Sequence, residues 1–565
     1  MTADPDNVFD LTPTQEAMLL YSVYAPKSAA YFEQFCYAYR GALDVEAFTA
    51  AWQQVVNRHS MLRTSFRWSE QAGPRQVVHD RVDVPLVFED WRDLTEHEHR
   101  LTEFLKADCA RGFDVSNAPL IRVAVLQTSS DAFYIVISNH HLVLDGWSMG
   151  VVRREVTQVY LALTQRKEIE LPPPPAFSTY VERLGNQTSA DAKSFWRASL
   201  ANFTEPEPLP IDRAPGMLPG ADETFGELAI DVPEELSSRL QAAARKHRLT
   251  MSTIAQGAWA ILLSRYCRSN DVLFGITVSG RPYDFAEVDS LVGVLINTLP
   301  LRVRMPAEGS IATCLQELQK RVARLREHET TSLKQIHEWS DLPNNRPLFE
   351  TLVVFENFIG HDLQLNLGGD IQLSRSHLAR TNYPLVLVVN PHAELGLRVI
   401  YHRSRFAMDA IERLLRHLVT IMESLANDLQ QPVTSVNVLS EHEKHMLLNE
   451  WNQTAPTAAD LKPVYRVIEE RAATTPNALA VVHDGQSLTY GELNARANQL
   501  ARFLRQNLSS ADHKAGETPL VGICLERSID MIVAVLAVLK AGAAYVPLDP
   551  TYPTDRLSLM LKDSG

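Results

Sequence analysis

The chain has 565 residues, of which 45% are hydrophobic and 22% charged, with a formal net charge of −14. That length exceeds what one hydrophobic core supports and the composition is that of a globular chain, so several domain-sized units are expected and wholesale disorder is excluded. The acidic excess is interrupted by no long basic run, which argues against a nucleic-acid partner.

Cys36, Cys109, Cys267, Cys314 and Cys524 are far apart, with no C-x-x-C pair. Neither a disulfide framework nor a zinc site is predicted, no metal is expected, and a reducing cytoplasmic setting follows. The opening Met1-Thr-Ala-Asp-Pro-Asp lacks the apolar core of a secretory signal. The most membrane-like run, Met531 to Leu539, is broken by Lys540 and Gly542, which predicts a buried helix and no membrane span.

In chain order, Leu11-Thr-Pro-Thr-Gln15 opens the first region. A helix is predicted from about Asp44, with Phe48, Ala51, Trp52, Val55 and Val56 on one stripe that ends at Arg58-His59. Met61 to Phe66 reads as a strand-like continuation. A hairpin follows at Leu120–Leu126 and Ala132–Ile137, turning at Thr128–Asp131, and its second strand reads as buried on both faces. That strand runs into Ser138-Asn139-His140-His141-Leu142-Val143-Leu144-Asp145-Gly146-Trp147. Beyond it, Met149, Val152, Val156, Val159, Tyr160 and Leu163 have helical spacing, with Ser148 expected as the N-cap. Two adjacent imidazoles and a carboxylate therefore sit on a strand-to-helix loop, held by a rigid strand beside a helix N-terminus. That placement suits chemistry better than packing.

Pro172 to Pro175 stiffen an extended connector, read as the seam between two lobes. A Pro-rich surface loop is expected over Glu205–Pro219. Helices are predicted near Pro233–His247 and Thr250–Tyr266, and strands at Asp271–Val278, Thr351–Phe355 and Leu385–Val389. The order helix, strand, strand, helix occurs in both halves without repetition of sequence. Leu439 to Thr457 reads as an interdomain linker. A further α/β stretch then carries a helix near Val464–Ala473, a strand at Leu479–Val482, the Asp484-Gly485 turn and Leu488–Tyr490 with a helix to about Leu504. A strand at Leu520–Cys524, a helix at Ile529–Lys540 and a strand near Ala544–Leu548 complete it.

These residues resemble a known family. Leu11-Thr-Pro-Thr-Gln15, Arg58-His59 through Leu62-Arg63-Thr64 and Phe66, the His140-His141-x-x-x-Asp145-Gly146 core and Phe177-Ser-Thr-Tyr180 resemble condensation domains of nonribosomal peptide synthetases. So do Val292-Gly293-Val294 with Ile296-Asn297-Thr298, Pro347-Leu348-Phe349-Glu350 and Arg380-Thr-Asn-Tyr-Pro384-Leu385, all in the family's order. Leu488-Thr-Tyr490-Gly-Glu492-Leu493 and Leu539-Lys-Ala-Gly542-Ala-Ala-Tyr545-Val-Pro547-Leu-Asp549 resemble the first adenylation-domain motifs. The Ser/Thr/Gly-rich ATP-phosphate loop of that family is not reached before Gly565, so the stretch is expected to be inactive in adenylation alone. Leu367-Gly368-Gly369-Asp370 is faintly similar to a phosphopantetheine attachment site but lacks the serine, so no carrier module is expected.

The resemblance implies an α/β fold of two chloramphenicol-acetyltransferase-like lobes in a V-shaped pseudo-dimer, with a tunnel between them, plus an α/β adenylation fragment. It divides the chain into an N-lobe over 1–178, a C-lobe over 179–437, a linker over 438–460 and a truncated adenylation part over 461–565. It implies peptide-bond formation: a donor acyl group passes from a carrier-protein thioester to the amine of an acceptor aminoacyl thioester. Upstream donor and downstream acceptor carrier proteins are the implied partners, each presenting a phosphopantetheine arm, with no cofactor covalently bound and the module monomeric.

His141 matches the family's central residue and is the candidate catalytic group, as general base or as a positioning group for the amine; imidazole suits either task near neutral pH. His140 is expected to be structural. Asp145 is expected, by the resemblance, to pair with Arg63 and shape the loop. Gly146 is expected to permit a close backbone approach, its N–H alternatively facing an oxyanion. Trp147 is read as a core or tunnel-wall aromatic, and Asn297 as bridging segments or capping a strand. Arg153 and Arg154 are read as solvated surface, with carrier docking as the alternative. Competing readings are an epimerase, a dehydrating or otherwise modifying condensation variant, and a silent recruitment platform. The adenylation-like tail counts against an epimerase, and the paired histidines exclude cyclisation relatives. The opening Leu-Thr-Pro-Thr-Gln-Glu leans toward acceptors of a D-configured donor.

Overall fold

Strand Ala132–His140 is enclosed because it has antiparallel partners on both sides: Phe32–Arg40, with Phe32 opposite His140, and Ile121–Gln127. These belong to a five-stranded sheet ordered Asp370–His377, Phe32–Arg40, Ala132–His140, Ile121–Gln127 and Leu86–Asp90. Helices Val45–Arg58 and Gly146–Thr164 bury their apolar stripes in the same core; Phe48, Trp52, Val55, Val152 and Val156 are all 0% exposed. Each such side chain contributes about 1.5–3 kcal/mol of transfer free energy. The computed structural model describes residues 7–25, 30–69, 73–185, 189–204, 206, 208–214, 224–282, 285, 287–343, 346–356, 365–377, 381–391, 394–453, 462–508 and 518–564. Met1–Asp6, Arg380, part of the expected loop at 205–219 and the expected linker from residue 454 to 460 lie outside the described residues.

A second sheet is six-stranded, ordered Asn297–Arg304, Asp271–Val278, Thr351–Phe355, Leu385–Pro391, Leu395–His402 and Phe225–Val232. It repeats the first in plan. Strand Phe225–Val232 leads to helix Glu234–His247 as Phe32–Arg40 leads to Val45–Arg58. Hairpin Leu385–Pro391/Leu395–His402 leads to helix Met408–Asn427 as hairpin Ile121–Gln127/Ala132–His140 leads to Gly146–Thr164. A parallel strand flanks each hairpin, Thr351–Phe355 in one case and Leu86–Asp90 in the other. The fold is mixed α/β, and neither sheet is closed into a barrel.

Two segments from beyond residue 178 are built into the first lobe. Val288, Leu291, Val292, Val294 and Leu295 sit in its core, and strand Asp370–His377 pairs with Phe32–Arg40. The chain thus makes two excursions from the second lobe into the first, and the earlier one meets the histidine loop, where Asp145 N donates to Gly293 O at 3.2 Å.

By contact density the chain forms two compact units, Met1–Lys444 and His445–Gly565. The expected linker contains regular structure: Glu441–His445 is α-helical and Met446–Glu450 forms a π turn. Ser440 and Glu443 cap that helix reciprocally, and Glu443 accepts from His417 Nε2 at 3.1 Å. The second unit has helices Val464–Thr474, Tyr490–Leu508, Ile529–Ala541 and Thr554–Ser564, a hairpin Leu479–His483/Gln486–Thr489, and a parallel pair Leu520–Ile523/Ala544–Pro547. Its core gathers Leu488, Leu493, Ala497, Ile529, Val533 and Leu536. Lys540, 4% exposed, is neutralised by Glu469 and hydrogen-bonded by Asn494 and Asn498. Among the described residues no helix is long and apolar enough to cross a membrane.

Candidate active site

The ladder of the first sheet continues one residue past its strand, because His141 N donates to Tyr31 O at 2.7 Å. The chain then turns, and Gln15 Nε2 holds the Leu142 carbonyl at 3.0 Å. Gln15 itself is fixed by a capping box with Thr12 at the start of helix Pro13–Tyr24. The histidine loop is therefore tied to the sheet behind it and to the helix opened by Leu11-Thr-Pro-Thr-Gln15.

The two imidazoles have opposite fates. His140 Nδ1 accepts from Leu142 N at 3.1 Å, so its proton is on Nε2, 3.3 Å from Ser22 Oγ. Burial, with His141 adding to it, pushes its pKa down to about 3, and it stays neutral. His141 Nδ1 lies 2.5 Å from Leu144 O. A carbonyl only accepts, so Nδ1 carries the proton and Nε2 carries the lone pair. Nε2 has no hydrogen-bond partner among the described residues, and the ring lines a cavity of about 1110 Å³. Helix Pro13–Tyr24 and Glu33 contribute to its wall from the first lobe, and Asn297, Thr331, Glu356 and Tyr383 from the second.

Glu33 was not singled out by the motifs. It is 6% exposed, accepts from Asn139 Nδ2 at 3.0 Å, and places Oε2 3.9 Å from His141 Nδ1. A carbonyl and a carboxylate thus flank the protonated side of the ring, which fixes its tautomer and orientation. Phe32-Glu33-Gln34 inside a strand otherwise rich in aromatic residues was the available signal: a charge in a strand buried on both faces needs a partner.

Of the other candidates, His140, Asp145, Gly146, Trp147 and Arg63 do not line the cavity. Asp145, 0% exposed, is the N-cap of helix Gly146–Thr164: Oδ1 accepts from Ser148 N at 2.8 Å, which corrects the expected Ser148 cap. Its ion-pair partner is Arg281, at 3.2 Å, and Oδ2 also accepts from Leu295 N at 3.0 Å. The expected pair with Arg63 is not formed. Arg63 instead donates to the carbonyls of His79 and Asp80, because it leaves the turn Ser60–Arg63 facing the hairpin Thr64–Ser69/Gly73–Val78. Arg281 precedes the crossing segment and closes it by donating to the Val288 and Leu291 carbonyls at 2.8 and 3.2 Å. Ser148 Oγ seals the same segment, donating to Gly293 O at 2.8 Å and accepting from Gly293 N at 3.1 Å.

Gly146 is the first residue of its helix, has no positive φ, and does not line the cavity, so the cavity does not support an oxyanion role for its N–H. Trp147 is half-buried; Nε1 donates to Asp289 O at 2.9 Å and the Arg281 guanidinium lies 5.5 Å from the ring centroid. It braces the crossing rather than the cavity wall. Asn297 bridges segments: Nδ2 donates to the Glu329 and Thr331 carbonyls, each at 2.8 Å, while Oδ1 accepts from Thr298 N at 2.8 Å and Thr14 Oγ1 at 3.4 Å. Arg153, expected in solvent, is 7% exposed, bonded to Tyr37 OH and 5.6 Å from the Phe35 ring centroid, whereas Arg154 is exposed. Asn382, from the motif ending at Leu385, accepts from Tyr31 OH at 3.2 Å.

Comparison with known proteins places this geometry. The family model described as condensation domain matches residues 6–448, and that of AMP-binding enzyme matches 468–565. Over 99% of its length the chain is 40% identical to a linear gramicidin synthase polypeptide of Brevibacillus parabrevis and 33% identical to a mycosubtilin synthase polypeptide of Bacillus subtilis. It spans 7% and 21% of those proteins. A solved four-domain nonribosomal peptide synthetase bound to AMP and glycine superposes with a TM-score of 0.75 at 20% identity, over 98% of this chain and 42% of that one. The starter condensation domain of rhizomide synthetase, a variant in complex with C8-CoA, gives 0.66 at 20% identity, over 77% of this chain and 98% of that one. The chain belongs to the condensation-domain family of nonribosomal peptide synthetases, with a partial AMP-binding domain behind it.

Proposed function

We propose that this chain forms peptide bonds by acyl transfer between two carrier-borne thioesters, one entering the cavity as donor and the other as acceptor, each on a phosphopantetheine arm. The acceptor amine attacks the donor carbonyl, the C–N bond forms, the C–S bond breaks, and the amine proton passes by way of His141 Nε2 to the departing thiolate. The products are an amide on the acceptor carrier and a free thiol on the donor carrier. No enzyme nucleophile is required. Holding both reactants in one cavity supplies a proximity term of up to about 7–11 kcal/mol, so modest proton-transfer help is enough.

One observation carries this reading. Nδ1–H is committed to Leu144 O, which leaves the basic nitrogen of His141 facing a cavity walled by both lobes. Asp145, Arg281 and Ser148 serve as the frame that keeps the loop in place. Donor- and acceptor-loaded carriers incubated with the chain are expected to yield dipeptidyl-carrier by mass spectrometry, and His141→Ala to lose at least about 100-fold of that product. Equal turnover in both would overturn the role of His141. Exchange of the donor Cα proton in D₂O without amide formation would favour an epimerase instead.

A further inference from the structure

A second carboxylate faces the cavity from the opposite lobe. Glu356 follows strand Thr351–Phe355, lines the cavity with His141 and Glu33, and is 6% exposed. Its backbone N–H donates to Val389 O at 2.9 Å, but its carboxylate has no hydrogen-bond partner among the described residues. A buried carboxylate left unpaired and open to a cavity is costly unless something cationic or protic occupies the space beside it. Among the described residues, the charged groups acting on it are Glu33, from strand Phe32–Arg40, and Arg398, from strand Leu395–His402, itself shared with Glu227 at 3.4 Å. His141 Nδ1 lies 3.9 Å from Glu33 Oε2.

We propose that Glu356, with Glu33 opposite, is the acceptor's ammonium site: the acceptor aminoacyl group arrives as –NH₃⁺, is held between the carboxylates, and gives its first proton to Glu356. This rests on the reading of the chain as an amide-forming acyltransferase. The acceptor's ammonium titrates near 8, so only about a tenth of it is nucleophilic at pH 7 and something must remove that proton. Proton balance is complete: R–NH₃⁺ and Glu356–COO⁻ become R–NH₂ and Glu356–COOH, His141 takes the second proton as the C–N bond forms and gives it to the thiolate, and Glu356 returns its proton to solvent. Burial, reinforced by Glu33 and opposed by Arg398, pushes the Glu356 carboxyl up to about 7, within a unit of the ammonium it would relieve.

The test compares Glu356→Gln with the parent chain on two acceptor pantetheine thioesters: an aminoacyl group, charged at pH 7, and an aminooxyacetyl group, uncharged at that pH. The variant is expected to lose about tenfold in turnover with the aminoacyl acceptor at pH 7, recover most of it at pH 9, and keep its rate with the aminooxyacetyl acceptor. Equal loss with both acceptors would reduce Glu356 to a structural residue, and no loss with either would remove it from the reaction; both outcomes overturn the proposal. The aminooxyacetyl rate also reports whether the variant is folded. Failure of the parent chain to make amide with either acceptor would instead sink the acyl-transfer reading on which the proposal depends.

Discussion

The two lobes build the same junction and use it differently. In each, the second strand of a hairpin ends on a buried histidine, His140 or His402, whose N–H bonds back to a carbonyl near the hairpin's first strand, Leu120 or Pro384. In each, a long helix begins a few residues later. In the first lobe the next residue, His141, turns into the cavity and Asp145 caps the helix. In the second lobe Arg403 turns outward, Ala407 at the helix start makes no side-chain cap, and Arg405 is locked in ion pairs with Asp212 and Glu350. One junction is open and polar on its inner side, the other packed shut. The same backbone plan therefore yields a site only where the loop presents an unsatisfied ring nitrogen to space both lobes enclose.

Substitutions at the paired positions sharpen that contrast. His141→Ala is expected to abolish product while leaving the unfolding midpoint nearly unchanged, whereas His402→Ala is expected to cost about 2–4 kcal/mol of stability, as truncation of a fully buried side chain does. Turnover per folded molecule would stay intact in the latter. Parallel assay and denaturant titration separate the two, and a His402→Ala chain that is stable but inactive would break the comparison.

The frame of the open junction is tested next. Arg281→Ala strands the Asp145 carboxylate in a site 0% exposed and is expected to cost about 3–5 kcal/mol, while Arg63→Ala forfeits carbonyl hydrogen bonds and about 1–3 kcal/mol. In double-mutant cycles Asp145→Asn should couple to Arg281→Ala and add independently to Arg63→Ala. Coupling to Arg63 instead would restore the pairing that the family resemblance implied.

The smallest effect lies in pH. His140 binds a proton in the unfolded chain below about 6.5 but resists it in the folded state down to about 3, so its contribution to stability is present above 6.5 and lost as pH falls. The stability difference between wild type and His140→Asn should shrink by about 2 kcal/mol between pH 7.5 and 5. Glu356, raised by burial, shifts the opposite way over this range, but it is common to both chains and cancels. A pH-independent difference would show that His140 is not held neutral.

Local pattern was enough for much of this. Helix Val45–Arg58, the hairpin ending at His140 and the strands and helices of the second unit follow from apolar spacing and turn residues, because those signals are written within a dozen residues. Ser440-x-x-Glu443 was equally local, a capping-box spacing inside a stretch read as linker. The candidate catalytic histidine was also legible, since adjacent imidazoles at the end of a buried strand have few packing explanations.

The partners of those residues were not legible. Arg281 lies 136 positions from Asp145, Glu33 lies 108 before His141 (141 − 33), and Glu356 reaches the cavity from another sheet. The sequence by itself determined which segments become strands and helices and which ring stands at the loop, because periodicity and turn chemistry act over short range. Only the tertiary structure decided who neutralises Asp145, which tautomer His141 adopts and what shares its cavity. Those outcomes depend on how two crossing segments pack the lobes together, and burial makes each polar group take whichever partner the packing brings within reach.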